Sequence, residues 1–432
     1  MGQTIAEKIL SEHAGKNVKA GELIIAKVDV KMVQDGTGPL TVQEFKKMGK
    51  PLANPERTIL FIDHAAPSPR KELSNSHMVL RDFAKEYGAI LSDVGDGVCH
   101  QRLVESYVFP GEILIGADSH TCTSGALGAF STGMGSTDIA VAMALGKTWM
   151  KVPQTYKIVV NGDFQVGVCA KDLILHLIGL IGADGATYKA LEFTGETIRK
   201  MPMADRFTLA NMAVEAGAKA GLFETDKITK EYLESRGNGD KFKVIKADED
   251  AVYERVIEID ATRIEPTISC PHTVDNTKIV SEVRHVKVNQ VLIGTCTNGR
   301  IEDFRLAAKI LKGQKVHPEV RLLITPSSRQ VLEQMLEEGL VKIFVNAGAA
   351  LVTAGCGACV GVHAGILGDG EVCLSTQNRN FQGRMGNTQG NIYLCSPAVA
   401  AYSAIKGHIA DPREILYGNE TLKIYPLENY IK

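Results

Sequence analysis

Residues 113–120 read ILIGADSH: four strand-forming or small residues that pass through Ala117 into Asp118, Ser119 and His120. A short, continuously apolar run fits a strand buried on both faces, the kind found in parallel sheets. In open parallel α/β sheets, ligands bind outside the carboxyl ends of the strands. An acid, a hydroxyl and an imidazole at such an end therefore read as candidate site residues.

The same arrangement recurs along the chain. ILFID (59–63) runs into His64, VLIGT (291–295) into Cys296-Thr297-Asn298, LVTAG (351–355) into Cys356-Gly357-Ala358-Cys359, and VCLST (372–376) into Gln377-Asn378-Arg379-Asn380. One polar strand end is ordinary loop polarity. Five that carry metal-ligating, titratable or cationic residues point to one shared site.

Between these ends the chain alternates apolar runs with helical periodicity. Strands are expected at Thr58–Asp63, Ile113–Gly116, Tyr156–Val160, Val288–Ile293, Arg321–Ile324, Ala350–Thr353 and Glu371–Leu374. Helices are expected at Ser76–Tyr87 (closed by Gly88), Thr137–Met150 after the glycine-rich 125–135, Lys171–Ile181, Phe207–Ala216, Glu302–Leu311 and Arg329–Glu338. The alternation predicts parallel α/β layers. The polar stretch 235–243 reads as a surface loop. The proline-containing 264–283 reads as a connection between lobes, which places a boundary near 285 and expected domains at 1–285 and 286–432.

At 432 residues, with 44% apolar and 23% charged residues, the chain is long enough for two or three domains with a sizeable core. Net charge is −2 with no basic block, which leaves no electrostatic footprint for nucleic acid or an anionic membrane. The N-terminus lacks a secretory pattern, no apolar run approaches a membrane span, and Ala6 stands where N-myristoylation wants Ser or Thr. A cytoplasmic location is the default expectation. In that setting nine cysteines, some clustered, point to metal binding or catalysis and not to disulfides.

Cys356-x-x-Cys359 is a compact pair of soft ligands that selects zinc, copper(I) or an iron–sulfur cluster. Taken alone, such a pair is also compatible with two buried packing cysteines. Cys296 is a plausible third ligand. With His363 as a fourth the set would make a closed zinc site; with three cysteines only, it would suit a [4Fe–4S] cluster with one iron left open.

Taken together, FIDH (61–64), Cys99-His100-Gln101, GADSHT (116–121), GTCTNGR (294–300), TAGCGACVG (353–361) and NRNFQGR (378–384) resemble, in order, the signature segments of the aconitase superfamily. The likeness spans nearly the whole chain and is nearest to the large-subunit group of isopropylmalate dehydratases and homoaconitases. It implies three-layer α/β/α lobes with parallel-rich sheets, without the C-terminal swivelling domain of full-length aconitases. It also implies one [4Fe–4S] cluster per chain on Cys296, Cys356 and Cys359, with one iron not ligated by protein. The other six cysteines are expected to pack.

The resemblance further implies histidine–carboxylate pairs. Asp63 and His64 match one, His100 and Asp118 another, and His120 a third whose glutamate is expected at Glu192 in KALEFTG (189–195). Hydroxide leaves poorly, so a nearby acid must protonate it. A carboxylate behind an imidazole fixes its tautomer and supports its cationic form. Asn378, Arg379 and Arg384 are expected to hold a small di- or tricarboxylate substrate, because the guanidinium fork matches carboxylate geometry. Ser119 and Asn298 would add hydrogen bonds. In VDVKMVQDGTGPL (28–40), Pro39 stands where aconitases have a substrate-contacting Gln, which disfavours citrate.

The implied activity is isomerisation of 2-isopropylmalate to 3-isopropylmalate by dehydration and rehydration, as in leucine biosynthesis. A small-subunit partner would supply the swivelling domain and its serine base, so the chain alone would be inactive. A homoaconitase or related alkylmalate dehydratase is the alternative within the class. Outside it stand a zinc-stabilised binding protein, which leaves the Asp-His and Asn-Arg strand ends unexplained, and an RNA-binding iron sensor, which the near-neutral charge disfavours.

Overall fold

The computed structural model describes residues 2–417; the last part of the expected 286–432 domain, 418–432, lies outside the described residues. The chain forms two compact units. Among the described residues, the first comprises 2–94, 99–161 and 184–259, and the second 95–98, 162–183 and 260–417.

The first unit is built on a five-stranded parallel sheet. Its order is Ile90–Ser92, Thr58–Phe61, Val30–Gln34, Ile113–Gly116, Phe130–Gly133. Every residue of Val30–Gln34 and Ile113–Gly116 is buried, as central strands covered on both faces require. The helix Lys71–Tyr87 turns His77, Leu80, Phe83 and Ala84 inward, a stripe of helical spacing, and stops at Gly88 in the left-handed conformation. Phe45, from the helix Gly38–Lys47, meets Phe83 edge-on at 5.4 Å between ring centroids. A second, four-stranded sheet carries Ala190–Thr194 and Ala220–Phe223, which pair in parallel.

The second unit holds a seven-stranded sheet. Its order is Thr277–Ile279, Thr267–Ser269, Asn391–Leu394, Val372–Ser375, Gln290–Gly294, Arg321–Thr325, Ala350–Leu351. The five strands from Asn391–Leu394 onward run parallel. Helices Ile301–Leu311, Leu340–Ala347 and Pro397–Lys406 line its core, with Phe304 packed edge-on against Phe344.

Both parallel sheets have a topological switch point. In the first, the chain leaves Val30–Gln34 toward Thr58–Phe61 and returns on the other side at Ile113–Gly116. In the second it leaves Gln290–Gly294 toward Arg321–Thr325 and returns at Val372–Ser375. Crevices for ligands open at such points, beyond the strands' carboxyl ends.

Three sequence expectations are corrected. The helix expected at 137–150 spans Ser136–Leu145; Gly146 ends it in the left-handed conformation, and Lys147–Lys151 becomes a strand paired with Leu23–Lys27. The connection expected at 264–283 contains the hairpin Thr267–Ser269/Thr277–Ile279, which extends the seven-stranded sheet. The two units also differ from a single cut near 285. The helix Ala170–Ile181 belongs to the second unit although the chain has not yet finished the first, a packing choice that linear spacing cannot carry. Among the described residues, no helix is long and apolar enough to cross a membrane.

Candidate active site

At the switch point of the first unit the strand ends deliver their polar residues to one place. His64 Nδ1 lies 2.9 Å from Asp63 Oδ1. On the other side of the ring, His64 Nε2 lies 3.5 Å from Asp118 Oδ2. His100 Nε2 lies 2.9 Å from Asp118 Oδ1, and that same oxygen accepts a hydrogen bond from the His120 backbone N–H at 2.8 Å. Asp118 is thus a hub for three histidines. His100 and His120 are nearly fully buried, and Nδ1 of His100 has no hydrogen-bond partner among the described residues.

Charge follows from this geometry. Burial alone would push His64 down, but the charge of Asp63 and the hydrogen bonds and charge of Asp118 outweigh it and hold the imidazole well above its ordinary value. For Asp118 burial would favour the neutral acid, but the charge of His100 and the hydrogen bonds of three histidines keep it ionised well below the usual carboxylate range.

His120 Nε2 reaches Glu215 Oε1 at 2.8 Å, so the expected glutamate is Glu215 and not Glu192. Glu192 is buried elsewhere, accepting from the Tyr253 hydroxyl and, at 3.1 Å, from the Ile5 backbone N–H. It ties the N-terminal helix to the second sheet. Glu215 sits on the single turn Ala213–Ala216, which continues the helix Met203–Met212.

Two further residues were not picked out in the sequence. Asp35, next after the central strand, accepts from the backbone N–H of His64 and Ala65, each at 2.9 Å, and faces His77 Nε2 at 3.0 Å. Burial opposes its charge, but these donors and the nearby charge of His64 hold its carboxyl far below the usual range. The carboxylate fixes the turn that presents His64. Gln34 reaches Asp118 Oδ2 at 3.4 Å, whereas Pro39 sits in the first turn of the helix Gly38–Lys47. Gln34 thus stands beside the hub carboxylate. Ser119 and Asp118 also line a cavity of about 500 Å³, with Phe130, Met134, Trp149 and Lys219 among its other walls.

In the second unit, Cys296, Cys356 and Cys359 are all buried, with at most 4% exposure. Gly294, which ends its strand with φ 140°, could not carry a Cβ, since that atom would lie 2.0 Å from the Thr325 carbonyl oxygen. The chain turns there into the short helix Thr295–Asn298 that bears Cys296. Asn378, beyond the returning strand Val372–Ser375, donates to Cys296 Sγ at 3.5 Å, and Arg384 Nη2 donates to Cys359 Sγ at 3.5 Å. A hydrogen bond to Cys359, then burial, then the charges of Cys359 and Cys296 push the Cys356 thiol well up, with Arg384 opposing. Three thiolates so close together repel one another unless a cationic centre sits among them. Soft sulfur donors with N–H groups aimed at them fit an iron–sulfur cluster. Arg379 lies over the Phe381 ring at 5.8 Å.

A frame of buried polar groups supports this set. Lys171 is fully buried and donates to the carbonyl oxygens of Thr376 and Gln377 at 2.6 and 2.7 Å, and to Asn298 Oδ1 at 3.4 Å. Arg300 Nη2 donates to the Cys296 carbonyl at 2.8 Å. Burial pulls Lys171 down to about 8.

Two switch-point constellations, one of histidines and carboxylates and one of thiols, define a class. The sequence profile of the Aconitase family (aconitate hydratase) matches residues 7–285 and 276–407, and the chain belongs to that family. It is 74% identical over 417 residues to the 3-isopropylmalate dehydratase large subunit of Elusimicrobium minutum, covering 96% of this chain and all of that one. The corresponding large subunit 1 of Thermotoga maritima is 57% identical, again over 96% of this chain and all of its own. Crystalline aconitase X of Thermococcus kodakaraensis, in its holo form, is similar in fold, with a TM-score of 0.51 at 14% identity over 94% of this chain and 92% of that one.

Proposed function

We propose that the chain is the large subunit of a hydro-lyase that interconverts 2-isopropylmalate and 3-isopropylmalate. The observation that carries this reading is the Asp118 hub, in which one ionised carboxylate orders three imidazoles while Asp63 holds His64 protonated. A binding scaffold has no use for such a hub. A dehydration does: the C–O bond breaks as the hydroxyl takes a proton, and water leaves.

His64, cationic and braced from behind by Asp63, is the proton donor to the leaving hydroxyl. His100 and His120 orient that water and the returning one through Asp118. Glu215 sets the tautomer of His120, with Nε2–H toward the carboxylate and Nδ1 as acceptor. Rehydration then adds hydroxyl to the neighbouring carbon. Held by Cys296, Cys356 and Cys359, a [4Fe–4S] cluster with one iron free of protein ligands supplies a Lewis acid when bound. Asn378, Arg379 and Arg384 bind substrate carboxylates. A small subunit completes the enzyme and supplies the base that takes the proton from the neighbouring carbon.

The test is an anaerobic assay of the iron- and sulfide-loaded chain with a small subunit from a relative, on 2-isopropylmalate and homocitrate side by side. Formation of 3-isopropylmalate that needs both subunits supports the reading. Turnover of homocitrate alone reassigns the substrate, and turnover of neither overturns the proposal.

A further inference from the structure

We propose that His100, Asp118 and His120 also form a binding site for a single zinc-class dication, so that free zinc occupies the proton-transfer hub. The basis is distance. A tetrahedral zinc with bonds of about 2.0–2.1 Å to nitrogen and oxygen sets its ligand atoms about 3.4 Å apart. Asp118 Oδ1 lies 2.9 Å from His100 Nε2 and 3.6 Å from His120 Nδ1, on either side of that value. One donor atom from each of the three residues falls within 4.8 Å of the others.

The surroundings match what a metal-bound imidazole needs. A ligating histidine usually donates its other ring N–H to a carboxylate, which fixes the tautomer and raises its basicity. His120 does so, with Nε2 at 2.8 Å from Glu215 Oε1, leaving the Nδ1 lone pair toward Asp118. His100 meets the metal through Nε2. The proton now shared with Asp118 leaves to water, or moves to the buried Nδ1 that has no partner among the described residues. Two imidazoles and one carboxylate favour zinc, nickel or cobalt over magnesium and calcium, which want oxygen. The cysteines belong to the other compact unit. That occupancy blocks turnover rests on the function proposed above; the metal site itself does not.

The test removes the competing thiols and uses Co²⁺ as a coloured stand-in for zinc. The full-length chain with C296S, C356S and C359S, its fold checked by circular dichroism, is titrated with Co²⁺ and then with Zn²⁺. The expected result is one tetrahedral Co²⁺ per chain, with visible ligand-field bands and no thiolate charge-transfer band, displaced stoichiometrically by Zn²⁺. Asp118→Asn and His120→Gln should abolish it, and Glu215→Gln should weaken it by about 10–100-fold. No saturable binding, binding indifferent to these changes, or a thiolate band from nearby Cys99 would overturn the proposal. If the triple variant does not fold, the same substitutions are made in cluster-loaded protein and Zn²⁺ affinity is read against a chromogenic chelator, with the same criteria. A chain that binds no metal yet turns over substrate sinks only this inference. A chain that binds metal but turns over nothing sinks only the functional reading.

Discussion

His120 Nε2 and Glu215 Oε1 lie 2.8 Å apart although the two residues are 95 positions apart in sequence. The pair decides which glutamate serves the hub, and two substitutions separate the candidates.

Glu215→Gln replaces the ionised acceptor that fixes the His120 tautomer with a neutral amide, whose N–H2 can equally face the ring. With the small subunit present, kcat should fall by about 10²–10⁴ with little change in KM, the range for losing a positioned proton-transfer group. Glu192→Gln should leave kcat near the parent value. It should instead lower stability by about 1–3 kcal/mol, because the Tyr253 hydroxyl and the Ile5 N–H lose a charged acceptor. Steady-state kinetics and thermal denaturation on both variants distinguish the two roles.

Asp35→Asn leaves the turn Asp63–Ala65 with a weaker acceptor and one N–H too many for His77. The expected result is lower kcat at nearly constant KM and a stability loss of about 1–3 kcal/mol. If only stability falls, Asp35 packs the turn without aiming His64.

His64 gives a pH signature. Its value is raised in the folded chain, so the stability it adds is fully present below the unfolded imidazole value of about 6.5 and lost as pH rises through the folded value. Asp118 is depressed, so its contribution is present above the unfolded carboxyl value of about 3.9 and lost only as pH falls through its lowered one. The difference in urea midpoint between the chain and His64→Gln should therefore hold steady below about pH 6 and shrink as pH rises through the raised folded value. A difference that grows with pH would mean that His64 is held neutral.

Lys171→Met takes the donor away from the Thr376 and Gln377 carbonyls and from Asn298. The strand end that carries Asn378 should loosen. Expected outcomes are about 1–3 kcal/mol less stability and iron content below that of the parent after identical reconstitution. Iron content equal to the parent's would show that this lysine only fills space.

Much of this was readable in the sequence because the chemistry sits directly at strand ends. ILIGADSH is a strand followed by its cargo, and Ile113–Gly116 appears where the pattern put it. The cysteine and Asn-Arg segments were readable for the same reason. Glu215 was not, because it sits on a single turn and reaches His120 only through packing of Met203–Met212 against residues 119–127. His77 was hidden as one more inward position of an amphipathic helix. Gln34 was not singled out because it is the last residue of a fully buried strand. The two-unit division was hidden because Ala170–Ile181 joins the second unit out of sequence order.

The most direct test of the central claim is iron, acid-labile sulfide and zinc content of the anaerobically reconstituted chain. The expected result is about four irons and four sulfides per chain, falling when Cys296, Cys356 or Cys359 is changed to Ser. One zinc, no sulfide and a further requirement for His363 would mean a closed structural site, and would contradict the hydro-lyase reading.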